Sequence, residues 1–355
     1  MLVLRIIFLP VLLPLALGYA LISFVRNQLF NFKIFKTYTP QGVQVLSVGN
    51  ITAGGTGKTP VTAYFAEELL KRNLKVGIIS RGYGGSFSKN LPIAKVMGQE
   101  HRAAEKFGDE PTWYAQKFLQ AQVYVGANRV AAAAELMKNN SVDVIIADDA
   151  FQHRRLGRHL DLVLLDASAS IFDYLPLPLG RGREDLFFAL QRADILILNK
   201  INLTSEHRLA RLKKILNMLK PVDVPLIELK TEIIAFKELG SEQRLTFAQI
   251  QNASVILACA IAKPEQFLAL MQEAGVKVSG RVFLADHAAF DAKHIDELEH
   301  LVEVTQAKYI VVTEKDAVKL KDLEMNVNFR AKVLVSELKI SSKELVDAIS
   351  ARLNW

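Results

Sequence analysis

The segment Gly49-Asn50-Ile51-Thr52-Ala53-Gly54-Gly55-Thr56-Gly57-Lys58-Thr59-Pro60 has the chemistry of a phosphate cradle. Glycines let backbone N–H groups turn inward around phosphate oxygens. A helix starting behind them adds the partial positive charge of its N-terminus. Gly54, Gly55, Thr56 and Gly57 would line the cradle. Lys58 would reach the β- and γ-phosphates of ATP, and Thr59 would ligate Mg²⁺. The general pattern has Gly where this chain has Thr52. A glycine-rich turn is the plainer alternative, but the apolar run over 43–48 and the helical pattern over 58–72 supply the strand and helix that a phosphate loop needs. A second apolar run ends in acids, Val142-Asp143-Val144-Ile145-Ile146-Ala147-Asp148-Asp149. Ligands of open α/β sheets bind at the carboxyl ends of strands. Successive strand residues face opposite ways, so one of Asp148 and Asp149 is expected at the metal and the other at something adjacent.

Other residues are open to two readings from type and spacing. Asp109, in Gly108-Asp109-Glu110-Pro111, opens a helix either as good capping chemistry or as a base that takes a hydroxyl proton. Glu110 reads as a first-turn acid or a metal ligand. Arg129 and Arg183 are either solvated charges or groups that neutralise phosphate. Tyr83 sits between glycines, and His153 follows Asp149 closely. Asn199-Lys200 has part of a guanine-recognition pattern, but position 202 is Asn rather than Asp, which favours strand-end structure.

These residues need a scaffold, and the chain supplies two. Its 355 residues exceed a usual single core, and with 50% hydrophobic and 23% charged residues they can fold. A single cysteine excludes a disulfide framework and a Cys-cluster metal site, and points to a reducing compartment. After residue 37, apolar runs over 43–48, 75–80, 142–147, 161–165 and 195–198 alternate with helical patterns. That is the signature of a parallel sheet covered on both faces. The stretch 222–246 reads as paired strands or a linker. A smaller alternation follows, with runs over 255–260, 282–284, 309–313 and 333–335. The expected architecture is α/β. It has a P-loop NTPase-type parallel sheet core over 37–230, a second, smaller α/β lobe over 231–355, and a membrane-associated helix within 1–36.

The stretch before the first acid supplies most of the net charge of +7. Arg5, Arg26, Lys33, Lys36 and Lys58 precede the first acid, Glu67. Residues 6–25 carry no charge, enough for about 30 Å of helix, one hydrocarbon thickness. A basic collar beside an apolar segment suits an anionic membrane surface rather than nucleic acid. A cleaved signal peptide would have a shorter apolar region and a small-residue cleavage site, and no such site is clear here; the other readings are a segment that spans the bilayer and one that lies in its interface. The basic residues after it place the bulk of the chain in the cytoplasm.

Together the motifs resemble the tetraacyldisaccharide 4′-kinase family, the lipid A 4′-kinases of Gram-negative bacteria. The resemblance runs through Val48–Pro60, Ser80-Arg81-Gly82-Tyr83-Gly84-Gly85, Gly108-Asp109-Glu110-Pro111, Arg129 and Asp148-Asp149-Ala150-Phe151-Gln152-His153. It continues through Arg183-Glu184, Asp286-His287 and Thr313-Glu314-Lys315-Asp316. Ala150 stands where the family usually has Gly. The resemblance implies transfer of the ATP γ-phosphoryl to the 4′-hydroxyl of a glycolipid, tetraacyldisaccharide 1-phosphate, at the cytoplasmic face of the inner membrane. It implies Asp109 as base, paired with His287. On the expected domain boundaries these two lie in different lobes, so pairing would require closure. The rival class is a membrane-associated P-loop ATPase switch acting on a protein partner, which has no need of Asp109 and His287.

Overall fold

The computed structural model describes residues 8–87, 93–340 and 342–353. Arg5 and the first residues of the uncharged run lie outside the described residues. The strands are β1 (Gln44–Asn50), β2 (Val76–Ser80), β3 (Ala94–Lys95), β4 (Gln122–Val125), β5 (Val144–Asp148), β6 (Leu160–Asp166) and β7 (Ile195–Asn199). They continue with β8 (Leu226–Glu228), β9 (Glu232–Glu238), β10 (Arg244–Leu245), β11 (Ser254–Cys259), β12 (Lys277–Phe283), β13 (Tyr309–Thr313) and β14 (Val333–Lys339).

The chain divides into two compact units, Met1–Ser80 with Asn128–Lys230 and Ser341–Trp355, and Arg81–Ala127 with Thr231–Ile340. This differs from the expected boundaries in two places. Residues 81–127 belong to the second unit, because helices Ala103–Phe107 and Asp109–Lys117 pack with helix Glu314–Leu320. The C-terminal helix Lys343–Leu353 returns to the first unit. There Gln44 donates to the Leu353 carbonyl, the Tyr64 hydroxyl to the Ser342 carbonyl and Arg352 to the Asp223 carbonyl. The alternation of strands and helices runs unbroken through both junctions, so nothing in the pattern marks them.

In the first unit, strands β2-β5-β1-β6-β7-β8 lie side by side and all parallel. Helix Lys58–Lys71 buries Val61, Phe65, Ala66 and Leu69, the spacing of one helical face. On the far half of the sheet Val163, Leu165, Leu196 and Leu198 form one core with Ile51, Phe151, Leu212 and Leu216. Parallel register sets the carboxyl ends level: Val48 pairs with Asp148, and Asp166 with Asn199. The phosphate loop, the acid pair and the Asn199-Lys200 corner therefore emerge from one edge.

The N-terminal helix Leu9–Asn31 spans 23 residues, about 35 Å at 1.5 Å per residue. By length and composition it is long and apolar enough to cross a membrane. Pro10 sits in its first turn, where its missing N–H costs nothing. Its later turns lie on the first unit. Ala16, Asn27 and Phe30 are buried, the Tyr19 hydroxyl donates to the Arg183 carbonyl at 2.9 Å, and the Phe24 and Phe188 rings are 4.9 Å apart.

The second unit is built on strands in the order β10-β9-β14-β13-β11-β12. Strands β11 to β14 run parallel to one another. β9 runs antiparallel to β14, and β10 to β9. The 222–246 stretch thus forms paired strands, with β8 completing the first sheet. Ile256, Ala258, Ile310, Val312, Phe290, Leu298 and Val302 share the core beneath this sheet. β3 and β4 form a short antiparallel ladder.

Candidate active site

The phosphate loop is shaped by contacts that glycine alone permits. A Cβ on Gly49 would stand 2.5 Å from the Phe151 Cβ. Gly57 caps helix Lys58–Lys71 at φ +88°, where a Cβ would meet Asn199 Nδ2 at 2.3 Å. Asn50 Nδ2 donates to Thr56 Oγ1 at 2.9 Å, and Asn199 Nδ2 to the Thr56 carbonyl at 3.2 Å. Lys200 Nζ donates to the Gly55 carbonyl at 2.9 Å and lies 3.6 Å from Asp166. The Asn199-Lys200 corner is thus strand-end structure that holds two of the loop's carbonyls, those of Thr56 and Gly55. Thr52 is accommodated without a left-handed backbone, in a bridge with Gly182.

Beside this loop the predicted charges converge on Asp149. Lys58 Nζ lies 3.5 Å from its Oδ1, and Arg183 donates to both its oxygens at 2.8 and 3.1 Å. Burial pushes the Asp149 carboxyl up, but the charges of Lys58, Arg183 and Arg129 outweigh it and hold the carboxyl below its usual range. Asp149 adopts φ +49°, a left-handed backbone that turns the chain sharply after β5. Asp148 is fully buried and accepts from Thr62 Oγ1 at 3.3 Å. Arg129 begins helix Arg129–Asn139, is buried, and stands behind the Asn128 cap. Among the described residues no group of three or more His, Cys, Asp or Glu could hold a metal alone. Thr59, Asp148 and Asp149 offer a few hard oxygen donors. That set fits a Mg²⁺ that completes its shell with phosphate oxygens and water.

His153 is held neutral. Burial, then the charges of Arg129, Arg158, Arg26 and Arg155, push its pKa down to about 4. Glu184 is structural: it accepts from Asn27 and Gln152, each at 3.0 Å, and from Arg192 at 2.6 Å.

A second cluster lies in the second unit, and it contains both Asp109 and His287. The expectation that lobe closure must join them is therefore corrected, because residues 81–127 fold with the unit that carries His287. Gly108 at φ +96° turns the chain into helix Asp109–Lys117; a Cβ there would press on the Tyr83 carbonyl at 2.7 Å. Asp109 is buried, and His287 Nδ1 sits 3.1 Å from both of its oxygens. Its own Oδ1 accepts from the Glu110 N–H. Burial pushes the Asp109 carboxyl up, but the His287 hydrogen bond and the charges of Lys315 and Lys319 outweigh it and hold the carboxyl below its usual range. His287 adopts φ +62°, a backbone state costly for a non-glycine residue and often found at functional sites. Tyr83 is exposed, with its ring 4.8 Å from the imidazole.

Sequence reasoning assigned no role to Lys315 or Lys319. Lys315 Nζ lies 3.2 Å from His287 Nε2, 3.5 Å from Glu110, 3.6 Å from Asp109 and 3.7 Å from Asp286. Lys319 Nζ lies 3.9 Å from Asp109 and 2.7 Å from Asp316. Thr313 caps their helix, and Asp316 accepts from the Ala260 N–H at the end of β11. The available signals were the Thr313-Glu314-Lys315-Asp316 match, which gave Lys315 no role, and the four-residue spacing of the two lysines on one helical face.

The tetraacyldisaccharide-1-phosphate 4′-kinase family model matches residues 8–354. The chain belongs to that family. Curated relatives named tetraacyldisaccharide 4′-kinase include one from Bdellovibrio bacteriovorus, 36% identical over 87% of this chain and 89% of its own length. One from Pelobacter propionicus is 31% identical over 94% and 88%. The fold is shared with a crystal structure titled an "apo" form of LpxK from Aquifex aeolicus in complex with ATP. It has a TM-score of 0.72 and 24% identity, and the match covers 98% of this chain and 99% of that one. The tetraacyldisaccharide 4′-kinase family is one of lipid A biosynthesis kinases, which sets aside the switch ATPase reading.

Proposed function

We propose that the two clusters serve one reaction, transfer of the ATP γ-phosphoryl to the 4′-hydroxyl of tetraacyldisaccharide 1-phosphate. Gly54, Gly55, Thr56 and Gly57 present N–H groups to the phosphates, and Lys58 neutralises their β- and γ-oxygens. Thr59 and one of Asp148 and Asp149 would hold Mg²⁺, which would supply further neutralisation of phosphate charge. Arg183 and Arg129 set the field around the acid pair and offset phosphate charge. Asp109 takes the proton as the 4′-oxygen attacks phosphorus and the bond to the β–γ bridging oxygen breaks, leaving ADP. His287 orients Asp109. Glu110 acts beside Lys315 rather than as a metal ligand, and Tyr83 offers a ring to the sugar. Leu9–Asn31 and its basic neighbours bring the enzyme to the cytoplasmic face of the inner membrane, where the lipid acceptor resides.

The observation that carries this reading is the buried carboxylate–imidazole pair, because a nucleotide switch needs no such base. The test uses the purified full chain, labelled ATP and the disaccharide lipid, with chromatography of the lipid. Label should appear in the lipid with wild type, and far more slowly with the variants. Asp109→Ala and His287→Ala should each cost on the order of 10²–10⁴-fold in rate. The double variant should be little worse than the weaker single one, since either loss disables one device. Additive losses, or ATP turnover indifferent to lipid, would sink the reading.

A further inference from the structure

We propose that Lys315 is a positioning residue that fixes His287 in the tautomer carrying its proton on Nδ1, so that the imidazole donates to Asp109 and cannot accept from it. The proposal rests on Asp109 being the base, and its test separates the two ideas.

The donor inventory decides the tautomer. An ammonium can only donate. At 3.2 Å from Lys315 Nζ, His287 Nε2 completes a hydrogen bond only as the bare, accepting nitrogen. A neutral imidazole then carries its one proton on Nδ1. That nitrogen faces both oxygens of Asp109 at 3.1 Å. The donors thus run one way, from Lys315 to His287 to Asp109.

Two opposing influences meet at the ring. Burial pulls the His287 pKa down, the Asp109 hydrogen bond and charge raise it more, and Lys315 works against that rise. Lys315 itself stays an ammonium. Burial disfavours its charge, but Glu110, Asp109 and Asp286 outweigh burial and lift its pKa above the usual lysine value. The other charged groups facing this pocket are Lys319 and, behind it, Asp316. Lys319 is committed to Asp316 and to the Ala288 carbonyl at 3.0 Å, so Lys315 is the cation that addresses the imidazole.

The consequence is chemical. A His287 that already bears a proton on Nδ1 cannot relay the proton that Asp109 takes from the hydroxyl. That proton stays on Asp109 until it exchanges with water, and His287 serves to hold the carboxylate rotamer and favour its anionic form. A plain ion-pair staple between Lys315, Glu110 and Asp286 would need no particular tautomer.

The test is ¹⁵N-histidine labelling of the full chain with long-range ¹H–¹⁵N correlation at pH 8. Wild-type His287 should show a bare Nε2 and a protonated Nδ1. Lys315→Met should lose that pattern, with kcat down about tenfold to a hundredfold and KM for both ATP and lipid within about twofold. Lys315→Arg, which restores a donor, should recover part of kcat. In a His287→Ala background, Lys315→Met should cost less than about threefold. A protonated Nε2 in wild type overturns the proposal even if the variants fail to fold. So does a Met variant whose ring pattern is unchanged, or one whose ring changes without loss of kcat. If Asp109→Ala keeps full activity, the base assignment falls, while the wild-type ring spectrum still decides the tautomer.

Discussion

At the scale of single residues, His153 combines burial with a ring of arginines, and its pKa falls from 6.5 to about 4. Its Nε2 is buried with no hydrogen-bond partner among the described residues. Between those two pH values the unfolded chain binds a proton that the folded chain refuses. Stability from this group is therefore present above pH 6.5 and is lost as pH falls toward 4. His153→Gln should flatten the wild-type decline, read as the difference between the two proteins' urea midpoints at pH 7.5, 6 and 5. Parallel midpoints across that range would show that His153 is protonated in the fold. Residue types showed which groups could do chemistry: Lys58, Asp149 and Arg183 meet as a constellation of opposite charges should. The role of Lys315 was not legible. Four-residue spacing predicts a shared helical face, but not that an ammonium ends 3.2 Å from an imidazole 28 positions away.

Elements carry a different kind of constraint, because the phosphate loop works only as the corner between β1 and helix Lys58–Lys71. Gly57 and Gly49 sit at its two ends and should fail differently. Gly57→Ala strains a backbone at φ +88° and drives a methyl into Asn199, which holds the Thr56 carbonyl. ATP affinity should fall at least tenfold, with lipid KM nearly unchanged. Gly49→Ala overpacks against Phe151 inside the sheet, and should cost about 1–3 kcal/mol of stability before it affects ATP. Calorimetric titration with ATP and urea denaturation separate the two. Equal losses of stability and affinity in both variants would mean that the loop has no local design. The strands flanking this corner were legible because buried parallel strands read as short apolar runs bounded by helices. The membership of 81–127 was not, since its helices choose their partners through packing with Glu314–Leu320, far along the chain.

The whole molecule adds what no segment shows, which is that the apolar N-terminal helix is also part of the first unit's structure. Its uncharged sequence raised the expectation of lipid contact. It gave no sign that Tyr19 would hold the Arg183 carbonyl or that Asn27 Nδ2 would reach Glu184 at 3.0 Å, because both partners lie some 160 positions away. Leu17, Leu21 and Ile22 remain exposed on the same helix, an apolar face suited to acyl chains. Deleting residues 1–25 should therefore do two things. Sedimentation with vesicles rich in anionic lipid should fall steeply, and the apparent KM for micellar lipid should rise more than that for ATP. Transfer should also slow, because the segment that aims Arg183 at Asp149 loses Tyr19 and the Phe24–Phe188 contact. Tyr19→Phe in the full chain separates these effects: it keeps the apolar face and removes one hydrogen bond. It should sediment like wild type and lose kcat by about threefold to tenfold, the range set by a net hydrogen-bond worth of about 1 kcal/mol. Undiminished sedimentation of the truncated chain would assign the membrane contact to another surface. Wild-type kcat in Tyr19→Phe would leave the helix an anchor alone, with no part in placing Arg183.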